Sequence, residues 1–441
     1  MGRSFVSNRR AVSGRILSGR VVLALAGLTL IIAGCRTDGA VQAALQGDLK
    51  TLQAEIKEAQ GAGRFDKASI EELARAVAGR EVRSAKGQPA VERLRSVRAC
   101  AAPLYPVLED RSTHPDDAGA EAALILLEMN RLQPAEAVRR YSESASGSWR
   151  AVAARASFAP SQALLRRQYF RDPDERVRRA ALSAALIAKD PGDLPDLLEA
   201  ARLDPDDLSR SLATRTVGAI GGRDAVLRLN DRWTRAGSDV RAVILEAWAM
   251  PASFKSGGEQ QLLRVAETET GELAIAAAHA LYQSESAHKE LGAQILARAV
   301  AEGTRHERQF AIRLAAVEHG ELLSAVEKAS KDEDPYVRVM AHAKLVVLPK
   351  YRHASLAELR KLAKLKGNEG VQARGALAAA GDASVAPALK LQLTEKSTEH
   401  RKLAARGLLR LGLYPEVATA LGDESPDVRT AVACNVLSFA N

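Results

Sequence analysis

The side chains that could do chemistry in this 441-residue chain are few and scattered. There is no His-Glu-x-x-His, no Gly-x-Ser-x-Gly, no phosphate-binding loop and no Cys-x-x-Cys. The eight histidines lie apart. The nearest approach to a metal set is His306-Glu307 with His319-Gly320-Glu321, on or beside one helical pair. Those residues read as solvated side chains next to a turn. Ser256-Gly257-Gly258-Glu259 lacks the lysine and the spacing of a phosphate loop and reads as a short flexible connection. No catalysis, metal, cofactor or small-molecule substrate is expected. Three cysteines remain, Cys35, Cys100 and Cys434. That number excludes a disulfide framework. Cys100 and Cys434 sit in alanine-rich helical patterns at opposite ends of the chain and read as small buried residues.

Cys35 stands in a different setting. Arg3, Arg9, Arg10, Arg15 and Arg20 precede it with no acid among them, and Val21 to Ala33 carries no charge. That run falls short of the ~20 apolar residues that span a bilayer as a helix. A basic segment followed by a short apolar one is the layout of a secretory signal. Ile32-Ala33-Gly34-Cys35, with the polar Arg36-Thr37-Asp38-Gly39 after it, resembles the lipobox of bacterial lipoproteins. The resemblance implies that the signal, residues 1–34, is cleaved and that Cys35 becomes the acylated amino terminus. Two or more chains then anchor stably, at ~0.8 kcal/mol per buried methylene. Arg36 stands where an aspartate retains such proteins in the inner membrane of enteric bacteria. The resemblance therefore favours the outer membrane, facing the periplasm.

The formal charge of +9 comes from 63 basic and 54 acidic residues. Setting aside the arginines before Cys35 leaves 58 against 54. The mature chain is near neutral, without the like-charge runs that nucleic-acid binding needs. Aromatics make up only 4% while apolar residues reach 46%, much of it alanine and leucine. This composition fits closely packed helices. It does not fit a β-sandwich, which favours Val, Ile, Thr and aromatics.

The elements that position these residues repeat. Asp172-Pro173-Asp174-Glu175-Arg176-Val177-Arg178, Asp332-Glu333-Asp334-Pro335-Tyr336-Val337-Arg338 and Asp423-Glu424-Ser425-Pro426-Asp427-Val428-Arg429 each lead into alanines at helical spacing. A period near 31 fits their separations. Degenerate copies fall at Ser209-Arg210, Val240-Arg241, Leu273-Ala274, Gln309-Phe310, Val371-Gln372 and His400-Arg401, with earlier ones at Trp149-Arg150 and Gly119-Ala120. Periods of this size mark stacked supersecondary units. Each unit reads as two helices around a polar turn. In the last, Ser425 takes the N-cap position and Pro426 the first helical one. One hairpin cannot bury its apolar face alone, so the units must stack. Trp149, Trp233 and Trp248 read as core anchors within that stack.

The pattern resembles HEAT repeats of the short kind first noted in phycobilisome lyases. It covers residues 111–441 and fades around Gly221 to Ala236 and Ser284 to Gly303. The resemblance implies an all-α, right-handed solenoid of stacked hairpins. It also implies that the turn aspartates and helix arginines, Asp172 with Arg178, Asp332 with Arg338 and Asp423 with Arg429, form a structural ladder between units. The lyase activity does not transfer, because fold does not carry function.

Residues 35–110 read as an irregular helical cap that spaces the solenoid from the membrane. Within it Ala43 to Leu52 resembles the helix opening of an ankyrin unit and reads as a helical hairpin. Ser69-Ile70-Glu71-Glu72 reads as a capping box. The expected function is a lipid-anchored scaffold for a protein partner of the cell envelope. The alternatives are an accessory subunit of an envelope enzyme and an uncleaved, signal-anchored repeat protein.

Overall fold

The computed structural model describes residues 38–439. The signal-like segment and Cys35 lie outside the described residues. Among those described, every regular element is helical and there is no strand. None of the described helices is long and apolar enough to cross a membrane.

The repeat is visible in where the second helix of each hairpin starts. These helices begin at Asp117, Gly147, Glu175, Asp207, Ser238, Gly271, Arg305, Pro335, Asn368, Thr398 and Pro426, in steps of 28 to 34 residues. Aspartates cap several of them: Asp116, Asp174, Asp206 and Asp334 each accept from free backbone N–H groups of the first turn. The two regions where the pattern fades still fold as hairpins. They supply the first helices Arg223–Trp233 and Lys289–Glu302. A first helix carries little of the motif, which lies in the turn and the second helix.

The second helices pack directly on one another in sequence order, while most first helices pack on second helices, Lys289–Glu302 being an exception that also packs extensively on the next first helix, Gly320–Ala329. Helices that sit closer together form the inside of the bend, so the second helices make the inner layer. Alanine and valine let them approach. Val177, Ala181, Ala184 and Ala185 are fully buried in one, and Val428, Val432 and Ala433 in another.

The stack does not end in a cap. Four helices begin the described chain: α1 (Asp38–Gln46), α2 (Leu49–Gly61), α3 (Lys67–Ser84) and α4 (Gln88–Val97). The last hairpin, Tyr414–Leu421 and Pro426–Phe439, packs on α2, α3 and α4, and α4 also packs on the first repeat helix Asp117–Glu128. The layer of helices therefore closes on itself. One apolar core crosses the junction, joining Ile70, Leu73 and Leu94 to Leu421, Val432 and Leu437. Gln53 Nε2 donates to the Gly422 carbonyl at 2.8 Å, and Gln60 Nε2 to Thr419 Oγ1 at 2.8 Å.

Closure corrects the reading of two cysteines. Cys100 and Cys434, 334 residues apart, are joined as a disulfide across the junction. Both are buried, as their alanine-rich surroundings require. They meet because the first and last units are neighbours in space.

Two smaller expectations also change. The capping box at Ser69 is replaced by Asp66, whose Oδ1 accepts from the Ser69 backbone N–H at 2.8 Å and from its hydroxyl at 2.7 Å. An aspartate in extended conformation caps as well as a serine, so α3 starts three residues earlier than a Ser69 cap would place it. Ser256 to Gly258 is no loose connection. It is a tight kink between the short helical turn Pro251–Ser253 and the helix Glu259–Thr268, with Ser256 (φ −102°, ψ 16°) and Gly257 (φ 111°, ψ 0°) outside helical geometry. Gly257 has φ 111°, which side chains rarely adopt, and a Cβ on Gly258 would meet the Trp248 and Ser253 carbonyls.

Candidate functional site

The ladder is the most regular polar feature of the fold. Each complete rung uses the arginine at the fourth residue of a second helix. Arg178 Nη1 donates to the Asp172 carbonyl at 2.9 Å and the Pro173 carbonyl at 3.2 Å, securing its own turn. Its Nε and Nη2 then reach forward to the Asp204 carboxylate of the next unit, at 2.8 and 3.1 Å. The Asp172 carboxylate is taken in the same way by Arg150 of the preceding unit, at 3.0 and 2.9 Å. The pairing is bidentate, the strong geometry for a guanidinium on a carboxylate. Asp172 with Arg178 is thus a backbone contact within one unit, and the carboxylate links that unit to the one before.

The other expected residues follow the same rule. Arg338 donates to the Asp332 carbonyl at 2.7 Å, while the Asp332 carboxylate belongs to Arg308. Arg429 donates to the Asp423 carbonyl at 2.6 Å, while the Asp423 carboxylate belongs to Arg401, at 2.7 and 2.9 Å. Sequence reading missed Arg308, having aligned this unit on Gln309-Phe310. The helix starts at Arg305, and the fourth residue is the arginine.

The last rung carries the ladder across the junction. Arg429 Nε and Nη2 both reach Glu81 of α3, the former at 2.7 Å. Glu81 fills the place that a turn aspartate fills elsewhere, and Arg93 holds its other oxygen at 3.1 Å. Removing one carboxylate from a rung leaves a half-buried arginine without its closest counter-charge. Asp332→Ala should lower stability by about 1–3 kcal/mol, read as an earlier urea midpoint at unchanged slope.

The inner layer near the junction holds a cleft of about 900 Å³. Its charges answer one another. Arg98 pairs with Glu121 at 3.0 Å and Glu128 at 3.3 Å, Arg95 with Glu121 at 3.4 Å, and Arg176 with Asp117 at 3.0 Å. Arg155 is the least answered, 3.7 Å from Glu128, and burial pushes its guanidinium below its ordinary pKa.

The histidines do not converge. His306 pairs with Glu272 at 2.7 Å, and His319 with Glu290 at 3.0 Å. Among the described residues no group of three or more His, Cys, Asp and Glu is placed to hold a metal. Trp233 and Trp248 are buried with ring centroids 5.1 Å apart. Trp149 lies 4.5 Å from the Tyr141 ring and donates to the Pro115 carbonyl. What the arrangement offers is a broad surface of stacked helices.

The stacked hairpins and their ladder define a helical-repeat protein with HEAT-like units. No protein-family model matches the chain, and no curated protein sequence does. Similar solved structures include the complex of CpcE and CpcF of phycocyanin lyase from Nostoc sp. PCC7120, 17% identical over 52% of this chain and 95% of that one, with a TM-score of 0.32. An engineered protein is 17% identical over 79% of this chain and 99% of its own, with a TM-score of 0.30. A mutant of Kap121p is 14% identical over 89% of this chain and 47% of its own, with a TM-score of 0.30. Likenesses at these scores say nothing of activity. The repeat class rests on the chain's own packing.

Proposed function

We propose that this protein is a lipid-anchored scaffold of the bacterial cell envelope. Acyl chains on Cys35 hold it at a membrane, the outer one facing the periplasm, and its helical layers bind a protein partner. The observation that carries the scaffold reading is the closed layer of second helices, since stacked repeats present a large continuous surface for a partner. The pairing of Cys100 with Cys434 supports export, because disulfides persist in oxidising compartments and are rare in the cytosol.

Cys35→Ala tests the anchor. The variant should leave the lipid-bound fraction or accumulate unprocessed. A variant that stays membrane-bound with unchanged mobility contradicts the anchor.

A further inference from the structure

The ladder is interrupted at several interfaces, where Ser144, Thr268 or Leu365 stands in the aspartate's place, and at one more the replacement is of opposite charge. Asp172, Asp204, Asp332 and Asp423 each stand three residues before the start of a second helix. In the unit whose second helix is Ser238–Ala249, that position is Arg235. A cation replaces the carboxylate. Arg210, which should reach forward to it, turns back to Asp207 at the start of its own helix and keeps only the usual backbone contact, to the Asp204 carbonyl at 2.6 Å.

Arg232 lies beside this gap. It is half-buried, and its Nη1 donates to the buried Thr214 hydroxyl at 2.7 Å. Among the described residues it makes no ion pair with a carboxylate. Burial, and then the neighbouring Arg210, push its guanidinium below its ordinary pKa. A desolvated arginine without a counter-charge is costly to maintain. Arg232 and Arg235 border a groove of about 890 Å³ between the first helices Leu194–Leu203 and Arg223–Trp233. Leu194, Leu198, Leu229 and Val240 supply its apolar floor. Two of the acids on its rim are occupied, Glu199 by Arg171 at 3.3 Å and Asp224 by Arg228 at 3.5 Å, and Asp231 is exposed.

We propose that this groove is where a partner polypeptide docks, placing an aspartate or glutamate flanked by aliphatic side chains against Arg232 and Arg235. The partner supplies from outside the counter-charge that Arg232 lacks. The inference rests on the scaffold reading above and names the surface and the chemistry of the contact. A bidentate carboxylate on a half-buried arginine gives orientation and specificity. The leucines give the apolar contact area.

The test uses the full chain in its own cells. The photoreactive residue p-benzoylphenylalanine replaces Arg202 on the groove rim, Leu391 on a distant first helix, or Arg406 on the inner layer. The expected result is a discrete protein adduct from position 202 whose crosslinked peptide contains Asp or Glu beside aliphatic residues. Arg232→Gln, which keeps a donor for Thr214, should reduce that adduct at least tenfold. Arg235→Asp, which rebuilds the rung to Arg210, should do the same without loss of thermal stability. An adduct at 202 unchanged in both variants, or one whose peptide has no acid, overturns the proposal. Adducts formed only from 391 or 406 overturn the groove and leave the scaffold reading standing. No adduct from any position removes both.

Discussion

Cys434→Ala should destabilise the protein by about 2–5 kcal/mol, a large share of the stability of an ordinary domain. The bond joins residues 334 apart, so it removes more freedom from the unfolded chain than any local crosslink could. Its loss should also loosen the junction, where Glu81, Arg429, Gln53 and Gln60 hold the last hairpin to α2 and α3. Hydrogen exchange should therefore rise first in α2, α3 and Pro426–Phe439 and least in the units farthest from the junction. Wild-type protein reduced under denaturing conditions and refolded with its thiols blocked should match the variant. Both sulfurs are buried, so reduction of the folded protein should be slow. An unchanged denaturation midpoint, with two free thiols titrating in the unreduced, unfolded wild type, would contradict the closed junction.

The second large effect is expected at Asp193. Its carboxylate and the Arg166 guanidinium are both wholly inaccessible, with Nε 2.6 Å from Oδ2. Arg166 Nη1 also donates to the Ser157 carbonyl at 2.7 Å, Nη2 reaches Asp190 at 3.2 Å, and Arg167 shares the Asp193 carboxylate at 2.9 Å. Removing one member of such a pair leaves a buried charge without its partner. Asp193→Ala should therefore cost about 3–5 kcal/mol. The double variant Asp193→Leu with Arg166→Met should recover much of that, because well-packed apolar residues often replace a buried pair with little loss. A single variant within about 0.5 kcal/mol of wild type would show that Asp190 and the Ser157 carbonyl satisfy Arg166 without Asp193.

Much of the repeat was legible because its signals are local. An Asp-Pro or Ser-Pro turn, a Val-Arg pair and alanines at helical spacing all fall within about a dozen residues. They placed the second helices at Glu175, Pro335 and Pro426. The direction of the ladder was not legible. Asp172 and Arg178 lie close in sequence, yet the carboxylate pairs backward with Arg150 and the guanidinium forward with Asp204. Only the stacking of units decides that. The junction left even less trace. Glu81 meets Arg429 across 348 residues, and no repeat motif surrounds it. The one available signal was the cysteine count. Once Cys35 is set aside as the proposed acylation site, two cysteines remain, and in a chain proposed to be exported two cysteines commonly pair. The Arg235 gap was also written in the sequence, but only the register of the helices shows that an arginine stands where several other turns have an aspartate.

The central claim is that this ring of repeats exists to hold another envelope protein. It is tested most directly by a crosslinked, detergent-solubilised pull-down of a C-terminally tagged copy at native expression level, with partners identified and quantified by mass spectrometry. The scaffold account predicts one envelope protein recovered reproducibly at near-equal amount. A clean preparation with no partner would contradict it.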